Sequence, residues 1–346
     1  MTSTILEQEI REQPLVIERL LETENDHVAQ ICEDLRGRFN YILIAARGTS
    51  DNAARYAQYL LGSFNKLPVA LATPSLFTTY GTPPDLQGAL VMGISQSGRS
   101  PDIISVVEEG RRQGRPALVI TNDPNSPLAD AANHVIDLVA GPERAVAATK
   151  TYTSSLAALA LVSAHLAKNS EIHAQILRLP GFIRQVIDTT FPALQRVERY
   201  RYMGHCVVIG RGFNYATAFE ISLKIKELTQ TIAEPYSSAD FLHGPIAMIK
   251  KGFPVLVIAP SGSVLDDMRE LYERLLDLKA ELLLISDQDA LLDKANLPLR
   301  LPAGMPEWLS PVVAVVPGQL FSFALASSRG LSPDKPEGIH KVTETW

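Results

Sequence analysis

Two groups of residues in this sequence have types and spacings that could do chemistry. The first is Ser95-Gln96-Ser97-Gly98-Arg99-Ser100-Pro101, three hydroxyls around one glycine. It follows an apolar run and precedes a helical pattern. Its backbone N–H groups therefore lie at a helix N-terminus, where partial positive charge collects and small side chains let an anion approach. A phosphate fits this loop; an N-cap followed by proline in the first turn would need one serine, not three. Gly48-Thr49-Ser50, at the end of another apolar run, could add a hydroxyl to the same anion or simply cap the next helix. The second group is Glu220, Lys224 and Glu227, spaced so that all three share one helix face. A carboxylate held there can carry a proton between adjacent carbons. On spacing alone an exposed Glu–Lys pair, worth only about 0.3–0.5 kcal/mol, is the simpler account. His243, in the turn Leu242-His243-Gly244-Pro245, could move a proton near neutral pH, although a lone histidine in a turn is more often structural. Lys341 could form a Schiff base with an open-chain carbonyl, or be a solvated charge near the terminus.

The elements that must position these groups repeat. Tyr41–Ala46 (YILIAA) is a strand-like run ending at Arg47-Gly48, and Cys206–Gly210 (CVVIG) ends at Arg211-Gly212. Arg47 and Arg211 stand 164 positions apart, and the same offset pairs Ser97 with Ser261, Gly98 with Gly262, Asp102 with Asp266 and Asp123 with Asp287. One offset across three strand ends predicts two copies of a strand–helix unit. In each copy apolar runs alternate with amphipathic helices, which predicts an α/β protein: two tandem domains, each a doubly wound, mostly parallel sheet flanked by helices. Ligands of such sheets bind beyond the carboxyl ends of the strands. The expected organisation is an N-terminal helical segment over 1–30, a first domain over 31–170 that binds the phosphate, a connector over 171–203, and a second domain with a C-terminal loop over 204–346. Where the first copy has Ser95-Gln96-Ser97 the second has Ala259-Pro260-Ser261, losing polar groups and one N–H. One copy is expected to bind phosphate, leaving the other free for chemistry.

Composition sets the outer limits. A chain of 346 residues suits two domains at roughly 150 residues each. With 46% hydrophobic and 20% charged residues, and a mean hydropathy of +0.06, the bulk of it should fold. A formal charge of -6 offers no basic field for a nucleic-acid backbone, so nucleic acid is not an expected partner. Cys32 and Cys206 form no metal-type or disulfide spacing, which points to a reducing, cytoplasmic setting. The start carries Glu7, Glu9 and Glu12 rather than a signal peptide, and no run is expected to reach the ~18 apolar residues of a membrane span, so a membrane partner is not expected either.

Taken together, Gly48-Thr49-Ser50, Ser95-Gln96-Ser97-Gly98-x-Ser100 and Val146-Ala147-Ala148-Thr149-Lys150 resemble the sugar isomerase (SIS) family. Glu220-x-x-x-Lys224-x-Lys226-Glu227, Glu234-Pro235-Tyr236, His243-Gly244-Pro245, Asp334-x-Pro336 through Lys341, and Glu9-Ile10-Arg11-Glu12-Gln13-Pro14 look like the isomerase half of glucosamine-6-phosphate synthase. The resemblance implies that Gly48, Thr49, Ser50, Ser95, Gln96, Ser97 and Ser100 hold the phosphate, with Val146, Ala148, Lys224 and Glu220 around the sugar. It also implies that Glu227 moves the proton, that Lys341 forms the imine, and that His243 opens the ring from across a homodimer interface. No metal or organic cofactor is implied, because an open-chain aldehyde already acidifies the neighbouring C–H. The chain departs from the synthase pattern at Arg99 (acidic there), Ser100 (Thr), Ala148 (Ser), Asp240 (Glu) and its Thr345-Trp346 end. Met1-Thr2-Ser3 stands where the synthase has a glutaminase domain, so glutamine hydrolysis is not expected.

The expected function is an amino-sugar-phosphate isomerase/deaminase that converts glucosamine 6-phosphate to fructose 6-phosphate and ammonia. A fructosamine-6-phosphate deglycase would use the same residues on a larger amine. A non-catalytic sugar-phosphate sensor is the third reading; it would normally carry a DNA-binding or partner-binding domain, and the first 30 residues are too short and too acidic for a helix-turn-helix.

Overall fold

Every apolar run named above is a strand in the computed structural model, which describes residues 4–341. Met1-Thr2-Ser3, Val342-Thr343 and Thr345-Trp346 lie outside the described residues. The elements run α1 (Ile5–Thr23), α2 (Asn25–Leu35), β1 (Tyr41–Ala45), α3 (Thr49–Asn65), β2 (Val69–Leu71), β3 (Ala89–Ser95), α4 (Pro101–Arg112), β4 (Ala117–Thr121), α5 (Pro127–Asp130), β5 (His134–Asp137) and α6 (Lys150–Ala167). Then follow α7 (Ser170–Ile176), α8 (Leu179–Thr190), β6 (His205–Gly210), α9 (Tyr215–Thr229), β7 (Ile232–Ser237), α10 (Ser238–Leu242), β8 (Pro254–Ile258), α11 (Leu265–Asp277), β9 (Glu281–Ser286), α12 (Asp289–Leu292), β10 (Leu297–Arg300) and α13 (Ser310–Ser328).

The strands form two five-stranded sheets, β2-β1-β3-β4-β5 and β10-β9-β8-β6-β7, and every pairing in both is parallel. Exchanging each strand of the first order for its counterpart in the second copy reproduces the second order, so the offset seen in the sequence is a duplication of topology. By contacts the chain forms two compact units. One holds residues 15–143 and 150–178 with His340 and Lys341, and the other holds the residues up to Pro14, 144–149 and 179–339. In the first unit β1 and β3 are adjacent and in register from Tyr41↔Ala89 to Ala45↔Gly93, so Gly48-Thr49-Ser50 and Ser95–Ser100 emerge at the same end of neighbouring strands.

Local details differ from the sequence reading in informative ways. The N-terminal helical segment is two helices, α1 and α2, broken at Glu24. The helical stretch after α6 breaks near Pro180 and Pro192: α7 ends at Ile176 and α8 at Thr190. Pro180 is the second residue of α8, and Pro192 opens the 3-10 segment Phe191–Tyr200, places where proline's missing N–H costs nothing. The expectation that no run is long and apolar enough to cross a membrane is corrected by α13. With the 3-10 turn that leads into it, Glu307–Ser328, it is long and apolar enough to cross a membrane, yet almost all of it is buried. It packs on α8 and α9 inside the second unit, and a helix apolar on all sides is what such a position requires. Gly318 lets α9 come close, since a Cβ there would overlap Ile221.

Candidate active site

In the first unit the carboxyl ends of β1 and β3 carry the hydroxyl loops. The Ser95 side chain is buried and its Oγ accepts the Gly98 N–H at 3.1 Å, closing the turn on itself. Gly98 has φ +63°, and a Cβ there would overlap the buried Ser126 side chain, so only glycine fits. Ser100 occupies the N-cap of α4 with Pro101 next, yet its hydroxyl makes no capping hydrogen bond. Neither it nor the half-buried Ser97 hydroxyl has a hydrogen-bond partner among the described residues. The capping explanation of these serines therefore fails where it was simplest. In α3 the N-cap is Gly48 rather than the following residues, with no side-chain cap; Asp51 instead pairs with Arg55 at 3.1 Å. Arg47, at the end of β1, donates to the buried Asp102 at 2.7 Å and ties the two loops' strands together. Arg99 is exposed and lies 3.5 Å from Asp123.

The second unit holds the carboxylate–ammonium group of α9. Glu220 and Lys224 are fully buried in α9, with Lys224 Nζ 3.4 Å from Glu220 and 2.5 Å from Glu227 Oε2. Glu227 keeps 24% of its side-chain exposure. Two carboxylates bracket one ammonium, and burial makes the pairing obligatory: an isolated charge in this place would be strongly disfavoured. The exposed Glu–Lys pair considered above is not what forms. Lys224 fixes the position of the Glu227 carboxylate through Oε2, and Glu227 Oε1 has no hydrogen bond among the described residues. His243 is exposed at the C-terminus of α10, with its N–H on Asp240 O at 3.2 Å. Asp240 itself is tied to Ser237 by the capping bond that starts α10.

The segment 144–149 belongs to the same unit. Glu9 of α1 accepts the Arg144 N–H at 2.5 Å and the Ala145 N–H at 3.3 Å, and Asp334 O accepts the Val146 N–H at 3.2 Å. The Asp334 carboxylate accepts the Ile5 and Leu6 N–H groups at the start of α1. Those contacts give the Glu9 and Asp334 motifs a concrete task, holding the backbone around half-buried Val146 and Ala148.

Spacing missed one residue. Glu143 is buried in the first unit, where it accepts the Thr151 N–H at 3.1 Å, the Thr151 hydroxyl at 2.8 Å and Lys341 Nζ at 2.7 Å. An acidic residue just ahead of the Val146–Lys150 motif was the available signal. Among the described residues no group of three or more His, Cys, Asp or Glu side chains is placed to hold a metal ion.

The family model for the SIS domain matches residues 39–164 and 201–329, one match on each sheet. The chain belongs to the SIS family. It is a tandem of two SIS repeats, homologous to the C-terminal, isomerase half of glucosamine-6-phosphate synthase. Its similarity to glutamine-fructose-6-phosphate aminotransferase (isomerizing) of Pyrococcus horikoshii is 32% identity over 339 residues, covering 96% of this chain and 56% of the relative. The chain thus spans about half the length of the curated relatives it matches. The C-terminal domain of glucosamine-fructose-6-phosphate aminotransferase from Francisella tularensis superposes with a TM-score of 0.86 at 27% identity, covering 96% of this SIS chain and 98% of that one. Glucosamine-6-phosphate deaminase from Thermotoga maritima shares the SIS fold at a TM-score of 0.81 and 23% identity, over 99% and 100% of the two chains.

Proposed function

We propose that this SIS protein is an amino-sugar-phosphate isomerase/deaminase that takes glucosamine 6-phosphate to fructose 6-phosphate and ammonia. The observation that carries the reading is the buried Glu220–Lys224–Glu227 group, in which an ammonium fixes one accessible carboxylate. In this mechanism the hydroxyls and N–H groups of Ser95–Ser100 and Gly48–Ser50 bind the phosphate, and Val146 and Ala148 border the sugar. His243, exposed on α10, opens the ring from a neighbouring subunit of a homodimer. Glu227 removes the proton from C2 and returns it to C1. The C2 imine then takes up water and releases ammonia. Lys341 supplies an amine that can exchange with that imine. Homology to the isomerase half of glucosamine-6-phosphate synthase supports a sugar phosphate as ligand. Cys32 and Cys206 are buried free thiols whose pKa burial pushes up to about 12, so neither serves as a nucleophile in this mechanism.

The test is to incubate the protein with glucosamine 6-phosphate and follow ammonia and fructose 6-phosphate together, with Glu227→Gln in parallel. Equal release of both products, lost in the variant, is the expected result. No ammonia from the unmodified protein overturns the reading, and free amino acid released from a phosphorylated fructosamine would make the protein a deglycase.

A further inference from the structure

We infer that Glu143 is a preformed receptor for Lys341 and the positioning residue that makes this lysine a competent nucleophile. The inference rests on the proposed function, which makes Lys341 the imine former, and adds the group that controls it. The side chain of Glu143 is fully buried, a place where a carboxylate is stable only if hydrogen-bonded and paired. Two of its hydrogen bonds come from Thr151, the second residue of α6: Oε1 accepts the backbone N–H and Oε2 accepts the hydroxyl. Because Thr151 lies in the first turn, its N–H has no partner within the helix and the helix dipole favours a negative charge beside it. Thr151 therefore anchors both oxygens of Glu143 independently of the lysine. Lys341 then adds Nζ to Oε2, the same oxygen that the Thr151 hydroxyl orients. A fixed anion of this kind selects one position for a long, flexible side chain that reaches it from 198 residues away in sequence.

The chemistry needs such a partner. A lysine ammonium has no lone pair, so the proton must leave Nζ before attack, and Glu143 Oε2 is in hydrogen-bond contact to take it. The freed amine attacks the C2 carbonyl of the open-chain ketose, an N–C bond forms, and the carbonyl π pair moves to oxygen, which takes up a proton. The carbinolamine then expels that oxygen as water while nitrogen's lone pair forms C=N. Ammonium plus ketone gives iminium plus one water, with no oxidant, reductant or cofactor.

The test is reductive trapping. The full chain is incubated with fructose 6-phosphate and sodium cyanoborohydride, and the adduct is located and timed by peptide mass spectrometry. The unmodified protein is expected to be labelled at Lys341, and Glu143→Gln to slow labelling by about tenfold or more through loss of positioning. Half-saturation for fructose 6-phosphate should stay within about twofold. Glu143→Asp restores part of the rate, because it keeps the carboxylate. Thr151→Val, which leaves the carboxylate but frees its Oε2, falls between; it and the Asp variant decide the matter if the Gln variant does not fold. Labelling of Lys341 at the unmodified rate in the Glu143 or Thr151 variants overturns the inference. Absence of any Lys341 adduct in the unmodified protein overturns the imine role of Lys341 in the proposed function instead.

Discussion

The two copies of the duplicated unit place the same loop at the same strand and use it in opposite ways. After β3 the Ser97 and Ser100 hydroxyls are unengaged among the described residues. After β8, Ser261 gives its N–H to Asp287 at 2.8 Å and its hydroxyl to the same carboxylate at 2.5 Å, and Gln288 donates to the Ser261 oxygen at 2.6 Å. Ser263 N–H goes to Glu307 at 2.6 Å. The second loop is thus satisfied by carboxylates of its own chain, while the first leaves two hydroxyls unengaged, as the proposed phosphate role requires. Asp123 is the counterpart of Asp287, but it faces Arg99 and the Asn125 N–H rather than Ser97. Arg99, a departure from the synthase pattern, thereby helps leave Ser97 open. The helices differ in the complementary sense. Positions 56, 60 and 63 of α3, opposite Glu220, Lys224 and Glu227 of α9, are Tyr56, Leu60 and Ser63. One copy carries an open hydroxyl loop and a helix without these charges, and the other a charged helix with a closed loop.

Substitutions in the two copies test this division. The largest effect is expected for Glu227→Gln, which should lower kcat for ammonia release by about 10²–10⁴-fold while the thermal midpoint stays close to that of the parent. Steady-state kinetics beside calorimetry would check it, and retained turnover would remove α9 from the chemistry. Next comes Gly98→Ala. It meets positive φ and a buried Ser126, and should cost about 2–4 kcal/mol in denaturant unfolding. Gly262→Ala should cost less, because the atoms it meets belong to the Glu307 side chain, which can swing aside. Equal costs would mean that the first loop is no more constrained than the second. Ser97→Ala should raise KM for the sugar phosphate about tenfold, the worth of one hydrogen bond to a charged group, whereas Ser261→Ala should change it less than about twofold. A matched effect at both serines would contradict the assignment of anion binding to one copy.

The smallest effect concerns pH. His134 and His165 both lie in the first unit, and burial lowers the pKa of each below the ordinary 6.5, with repulsion from His173 adding to the effect at His165. Between the lowered value and 6.5 the unfolded chain binds more protons than the folded one, so stability rises with pH there. The first unit's contribution is full above about pH 6.5 and declines as the pH falls through the lowered values. His165→Gln should flatten the acid side of a plot of thermal midpoint against pH, and an unchanged slope would show that protonating His165 does not limit stability.

Much of this organisation was legible in the chain because it is local. Strand and helix periodicity, the prolines at helix starts and the repeated offset all follow from residues within a few positions of each other. The hydroxyl loop was legible for the same reason: Ser95 to Ser100 fold on their own backbone, with Ser95 closing on Gly98. Helix capping misled at Thr49 and Ser50 because capping is decided by one dihedral angle, and Gly48 takes it with φ +53°. The apolar run in α13 was underestimated because a helix surrounded on every side by its own unit needs no polar face.

By itself the sequence determined the elements, their order, the duplication and which residue types sit at each strand end. It did not determine which charges would be buried or with whom. Spacing alone made Glu220, Lys224 and Glu227 an exposed pair, and only the packing of α13 and the sheet around α9 turned them into a buried group with one accessible carboxylate. Ser263 met Glu307 across 44 residues, and Glu143 met Lys341 across 198. Periodicity and turn chemistry are properties of neighbouring residues, whereas the strength of a charge pair depends on how much water the rest of the chain excludes from it.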